Sequence, residues 1–233
     1  MPFSDTSDSA SSPLKANLSY RGELRRKALH LLALVVPGGM AIVGDPWAAW
    51  LLVPLALAAF TADAARARLS RFNRFIRWIF GSMMRPREAE PREGLVVNGA
   101  TWVLISAALL ALLFPVRLAA PIFAMFMVAD AVAALIGRRY GRVTWARSSA
   151  TVEGSIAFLF SAVGTLALIS PVSFGLSVLA AGVATVTEAL PLPVNDNLVV
   201  PIVTTGIVLA AETLVIGTPS PPEDVGIITQ AAW

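Results

Sequence analysis

Apolar runs recur along the chain, separated by short stretches in which polar and basic residues collect. A helix rises 1.5 Å per residue, so about 17–25 mostly apolar residues carry it across a bilayer core. Read on that basis, the pattern predicts seven spans: about Ala28–Val43, Trp47–Ala62, Ala100–Phe114, Val116–Ile136, Gly154–Ile169, Val172–Val186 and Leu198–Ile216. Several of these runs are short, so they are expected to borrow flanking residues, to tilt, or to lie beside a thinned, protein-lined region. Pro37, Pro54 and Pro121 fall inside spans, where neighbouring helices re-satisfy the freed backbone groups. The expected fold class is an all-α polytopic transmembrane bundle.

Composition supports that reading. Of the 233 residues, 56% are hydrophobic and only 14% charged, against about 25% charged in an ordinary soluble domain. A soluble fold of this size would lack the polar shell to cover so much apolar surface. The net charge of +3 does not point to nucleic acid, because the basic residues flank the apolar runs as topology determinants do. Such residues also attract anionic headgroups and phosphorylated substrates. Seventeen of the eighteen lie before the first run (Lys15, Arg21, Arg25, Arg26, Lys27), between the second and third (Arg66 to Arg92), or between the fourth and fifth (Arg138 to Arg147). Arg117 alone falls on the other side. The N-terminus is therefore expected in the cytoplasm, with the working face on that side of a bacterial plasma membrane.

The domain organisation follows. Residues 1–20 form a Ser-rich tail without a signal-peptide core, residues 21–216 a single membrane domain, and residues 217–233 a Pro-rich tail. Within the membrane domain, residues 66–97 form a basic segment. In it, RFNRFIRWIF spaces Arg71, Arg74 and Arg77 three apart among apolar residues. That pattern suits either a helix in the membrane interface or a charged loop that sets topology. The chain has no cysteine, so thiol and disulfide chemistry are excluded.

Acids at membrane depth are costly and mark functional sites by default. Asp130, in FMVADAVAALIG, is flanked by apolar residues on both sides. It reads either as a carboxylate paired with an arginine of the following loop, or as one that holds Mg²⁺ or orients a phosphate-bearing ligand. Gly137 and Gly141 follow it at helical spacing, with Arg138, Arg139 and Arg142 available to fork onto phosphate oxygens; the glycines equally suit helix packing. In ATVEGS, Thr151 caps a helix and Glu153 complements its dipole, while Gly154 and Ser155 offer backbone amides to an anion. In TEALPLPVNDNLVVP, Glu188, Asn195, Asp196 and Asn197 cluster with no basic neighbour, as oxygen ligands of a hard cation or as a polar turn. Lys27 and His30 stand one turn apart at the mouth of the first run, and Asn98 and Thr101 open the third. In the expected topology all of these groups share one face.

RRKALH, NGATWVL, VADAVAALIGRRYGR, TVEGSIAF and TEALPLPVNDNLVVP, in this order, resemble the polyprenol kinase family, which includes phytol kinase, dolichol kinase and a CTP-using diacylglycerol kinase. The resemblance spans about Arg25 to Pro201. Part of it is also similar to phosphatidate cytidylyltransferases. The family resemblance implies transfer of the γ-phosphate of CTP to a membrane-embedded lipid alcohol. It implies Mg²⁺ at Asp130 and Asp196, with Glu188, Asn195 and Asn197 in support and Glu153, Gly154 and Ser155 near the nucleotide. Lys27, Arg138, Arg139 and Arg142 would neutralise phosphate charge. The family usually carries a lysine where this chain has Ala150, so the phosphate grip is expected to be supplied by Arg147 or weaker, or the activity to be lost. A CDP-lipid-forming cytidylyltransferase and a non-enzymatic ion or lipid transporter are the competing readings.

Overall fold

A computed structural model describes residues 20–80, 95–145 and 150–216. Among them the chain is helical, with no strand beyond an isolated antiparallel bridge between Thr144 and Thr151. The helices are α1 (Tyr20–Leu32), α2 (Val35–Val43), α3 (Trp47–Arg68), α4 (Ser70–Phe80), α5 (Gly99–Leu113), α6 (Val116–Tyr140), α7 (Val152–Ile169), α8 (Phe174–Ala189) and α9 (Asp196–Ile216).

Four of these, α3, α6, α7 and α9, are long and apolar enough to cross a membrane. The other apolar segments, Lys27–Val43, Gly99–Leu113 and Phe174–Ala189, are shorter. A 15-residue helix such as α5 reaches only about 22 Å of a hydrocarbon core roughly 30 Å thick.

The first apolar run differs from the expected single helix. It begins earlier, at Tyr20, and breaks between Leu32 and Val35. Pro37 explains the break. It has no N–H for the carbonyl four residues back, and its ring crowds that carbonyl. The Ala33 carbonyl instead accepts from Val36 N at 2.9 Å, in a tighter turn. Pro54, Pro121 and Pro201 sit inside α3, α6 and α9 without ending them.

α6 is the central helix. Sixty-one per cent of its apolar window is buried, against 22–33% for α3, α7 and α9. Its buried residues include Ala119, Ala120, Ala129, Ala131 and Ala133, small side chains that let neighbouring backbones approach. Phe123, Phe126 and Phe158 fill the space between α6 and α7 and are almost fully buried. α7 lies against α6 along its length, while α1 and α2 pack on another side of it.

Contacts at the helix ends divide the bundle into two poles. At one, Asp45 accepts from Val116 N (2.9 Å), and Arg117 forks onto Glu212 at 2.8 and 2.7 Å. At the other lie the ends of α1, α3, α6 and α8 that carry Lys27, Arg66, Arg138 and Glu188, and the starts of α5, α7 and α9. Except for Arg117, every basic residue of the described helices belongs to this second, basic pole.

Candidate functional site

The site is built on Asp130. Being on α6, it is carried into the bundle interior, ten residues before the end of that helix. Its Oδ2 receives Lys27 Nζ from α1 at 2.5 Å, and His30 Nε2 lies 3.4 Å from the same oxygen. Lys27 is only 2% exposed, although its ammonium would remain in water if it had no partner. A cation beside Asp130 thus comes from the N-terminal helix. His30 stands edge-on to Phe126, one turn before Asp130, with ring centroids 6.4 Å apart. An apolar wall therefore backs the polar group.

Glu188, at the end of α8, lies within electrostatic reach of the Lys27–Asp130 pair. The charges whose fields bear on it are Asp130, Asp196 and Lys27. Its Oε2 is buried and accepts no hydrogen bond among the described residues. Asp196 begins α9, where Asn195 caps the helix: its side-chain oxygen accepts from Asn197 N at 3.0 Å, and its carbonyl accepts from Leu198 and Val199. The VNDN turn therefore orders the helix start that carries Asp196. Four helices, α1, α6, α8 and α9, contribute Lys27, Asp130, Glu188 and Asp196 to one polar cluster.

A second group surrounds the α6–α7 junction, and its glycines serve packing. A Cβ on Gly137 would lie 2.8 Å from Thr151 Oγ1, and one on Gly154 would lie 3.1 Å from the Ala133 carbonyl. At Gly141 the added atom would fall on the Gly137 carbonyl oxygen. Thr151 caps α7 by accepting from Gly154 N at 3.1 Å. Glu153 accepts from Arg142 N (3.0 Å), and Ser155 accepts from Trp145 Nε1 (3.0 Å). These bonds, with Val152 N donating to Val143 O, fold the 142–145 segment back onto α7. Glu153 Oε2 is buried and also accepts no hydrogen bond among the described residues. Arg138, Arg139 and Arg142 are exposed around this junction. Ala150 is half-buried beside them, and Arg147 lies outside the described residues.

Asn98 belongs elsewhere. It caps α5 by accepting from Thr101 N, while its own backbone and side-chain N–H groups donate to Asp63 at 2.9 and 2.7 Å. Asp63 also receives Arg66 Nη1 (2.8 Å) and Thr101 Oγ1 (2.7 Å). This network joins α3 to α5, and Asp63 and Arg66 are both buried within it. Nothing in the local pattern singled out Asp63, which ends an apolar run next to Arg66 and Arg68 and reads there as a solvated edge.

No protein-family model matches the chain, and no solved structure matches it. The chain is similar to an uncharacterized protein of Rickettsia prowazekii (strain Madrid E), with 25% identity over 187 residues, covering 77% of this chain and 90% of the relative.

The residues can be tested against Mg²⁺. Among the described residues no group of three or more His, Cys, Asp or Glu stands ready to hold a metal by itself. Mg²⁺ seldom asks for that: it binds through one or two carboxylates and completes its octahedron with water and phosphate oxygens. Asp130, whose Oδ2 already receives Lys27, Asp196 and the unbonded Glu188 oxygen are the carboxylate groups within electrostatic reach of one another that such a partial donor set would draw on.

Proposed function

We propose that the chain is a membrane-embedded lipid-alcohol kinase, which transfers the γ-phosphate of CTP to a phytol- or polyprenol-type alcohol at the basic pole. The observation that carries this reading is the convergence of Lys27, Asp130, Glu188 and Asp196 from four helices, with exposed arginines on the same pole. In the proposed arrangement all seven apolar segments cross a bacterial plasma membrane, and the basic pole faces the cytoplasm, where the nucleotide is.

The chemistry asks for few parts. Phosphoryl transfer depends mainly on positioning and on neutralising charge over the phosphate oxygens. The alcohol oxygen bonds to the γ-phosphorus, the bond from that phosphorus to the bridging oxygen breaks, CDP leaves, and the alcohol proton passes to a carboxylate. Asp130 and Asp196 would hold Mg²⁺, which when bound supplies charge neutralisation to the phosphates. Lys27 holds Asp130 in place and offers positive charge. Arg138, Arg139 and Arg142 gather the triphosphate, and Glu153, Gly154 and Ser155 border it. The hydroxyl end of the alcohol meets the cluster from the bilayer side.

The competing readings differ in outcome. A cytidylyltransferase would move the α-phosphate of CTP into lipid, so α-labelled CTP would mark the product. A transporter would need polar groups leading from the cluster to the opposite pole. Ser161, Thr165 and Thr205 are bonded to carbonyls of their own helices, whereas Ser106 and Thr204 are buried with no hydrogen-bond partner among the described residues. The test is to supply purified protein in nanodiscs with lipid alcohols and with CTP labelled at either position. Label from the γ-position alone is expected in the lipid. Label from the α-position would replace this reading with the cytidylyltransferase.

A further inference from the structure

The helix α4 has no part in the cluster just described. It is set off from α3 by one extended residue, Leu69, so the chain turns at the basic pole and does not continue along α3. Its apolar residues Phe72, Phe75, Ile76 and Ile79 recur at helical spacing on one face. Phe72 and Ile76 are half-buried on the side where Asn73 meets Arg66 of α3 at 3.5 Å. Phe75 and Ile79 are 55% and 42% exposed, and Trp78 on the flank is 83% exposed. Arg71, Arg74 and Arg77 are exposed around the rest of the helix. From Arg66 to Arg87 there is no acidic residue.

We infer that α4 is an in-plane anchor: it seats Phe75, Trp78 and Ile79 in the interfacial layer of the bilayer and binds anionic phospholipid through Arg71, Arg74 and Arg77. A half-covered apolar strip bordered by arginines is the pattern of a helix lying at the headgroup level. The single sign of charge selects the occupant. A second copy docked about a twofold axis would place the same three arginines against each other, because such an interface joins identical patches. An anionic headgroup layer matches all three at once. The inference rests on the chain spanning a bilayer, although not on its being a kinase.

The chain has no cysteine, so one introduced cysteine reports a single position. Full-length Phe75→Cys, carrying a fluorophore, is reconstituted in nanodiscs that contain brominated phosphatidylglycerol or brominated phosphatidylcholine at equal fraction. Leu57→Cys, at an exposed position in the middle of α3, serves as the spanning control. Quenching is expected at both positions. At Phe75→Cys it should be about fivefold more effective with the anionic lipid, the selectivity of roughly one basic residue at a membrane surface. Replacing Arg71, Arg74 and Arg77 together by Gln should bring that ratio close to one. Ile79→Cys gives the same reading if Phe75→Cys does not fold. Quenching at Leu57→Cys with none on α4 overturns the anchor and leaves the bilayer reading standing, whereas no quenching at either position overturns both. Equal quenching by the two lipids overturns the anionic preference, and quenching relieved on diluting the protein reveals a second copy on the helix.

Discussion

Lys27 and Asp130, 103 positions apart in the chain, meet at 2.5 Å inside the bundle and tie the N-terminal helix to the central one. Neither charge is at home there alone. Lys27 is buried and Asp130 one-quarter exposed with His30 also near it, so removing one partner costs less than the roughly 3–5 kcal/mol of a fully buried pair, and replacing both costs less again. Lys27→Met and Asp130→Asn are therefore each expected to lower the melting temperature in detergent. The double variant should recover most of the loss. Strictly additive losses would show that the two residues do not act as a pair.

The glycines at the α6–α7 junction make a contrasting pair of expectations. Gly137→Ala would force Thr151 Oγ1 away from its cap, with packing strain of about 1–3 kcal/mol. That exceeds the roughly 1 kcal/mol gained from better helix propensity. Gly164, on α7, has open space around it, so Gly164→Ala should be neutral or slightly stabilising. Chemical denaturation of the two variants side by side checks this. Equal effects would remove the packing role from Gly137.

Asp63 is expected to be structural. Asp63→Ala would strand the buried Arg66 and orphan the Asn98 and Thr101 donors, destabilising by about 3–5 kcal/mol. Adding Arg66→Met should restore part of the loss. Once folded, that double variant should bind labelled CTP with wild-type affinity, because its network joins α3 to α5 away from the Asp130 cluster. A specific loss of nucleotide binding would place Asp63 in the site.

These expectations also mark how far the sequence could be read. The helices and the special position of Asp130 were legible, because both depend on local hydropathy: an acid in the middle of an apolar run is visible in one dimension. The partner of Asp130 was not. A loop arginine was one of two readings for Asp130, and neither pointed to Lys27, which arrives from a helix more than a hundred residues away. Asp63 escaped notice for a related reason, since its four donors come from both sides of the arginine-rich segment. Pro37 was visible, but its effect was misjudged: the chain yields with a break at Ala33 and Leu34 and does not leave neighbours to compensate. Gly137 and Gly141 fitted both phosphate approach and helix packing in the sequence and Gly154 read as an anion-binding amide, and only their distances to Thr151 and Ala133 show how tightly all three are packed.

The Arg117–Glu212 fork lies at the pole opposite the cluster. Arg117→Met should lower stability, since Glu212 is buried and would lose its partner. The turnover of the folded fraction should stay at the wild-type rate. A changed rate with unchanged stability would contradict the separation of the two poles.

The central claim is that Asp130 and Asp196 serve phosphoryl transfer. It is tested most directly by incubating γ-labelled CTP and a phytol or polyprenol acceptor with purified wild type, Asp130→Ala, Asp196→Ala and Arg117→Met in nanodiscs, each checked for folding. The account predicts labelled lipid phosphate from wild type and Arg117→Met, with a loss of about 100-fold or more in each aspartate variant, the scale set by removing one preorganised electrostatic group. Undiminished lipid phosphorylation by folded Asp130→Ala and Asp196→Ala would contradict it.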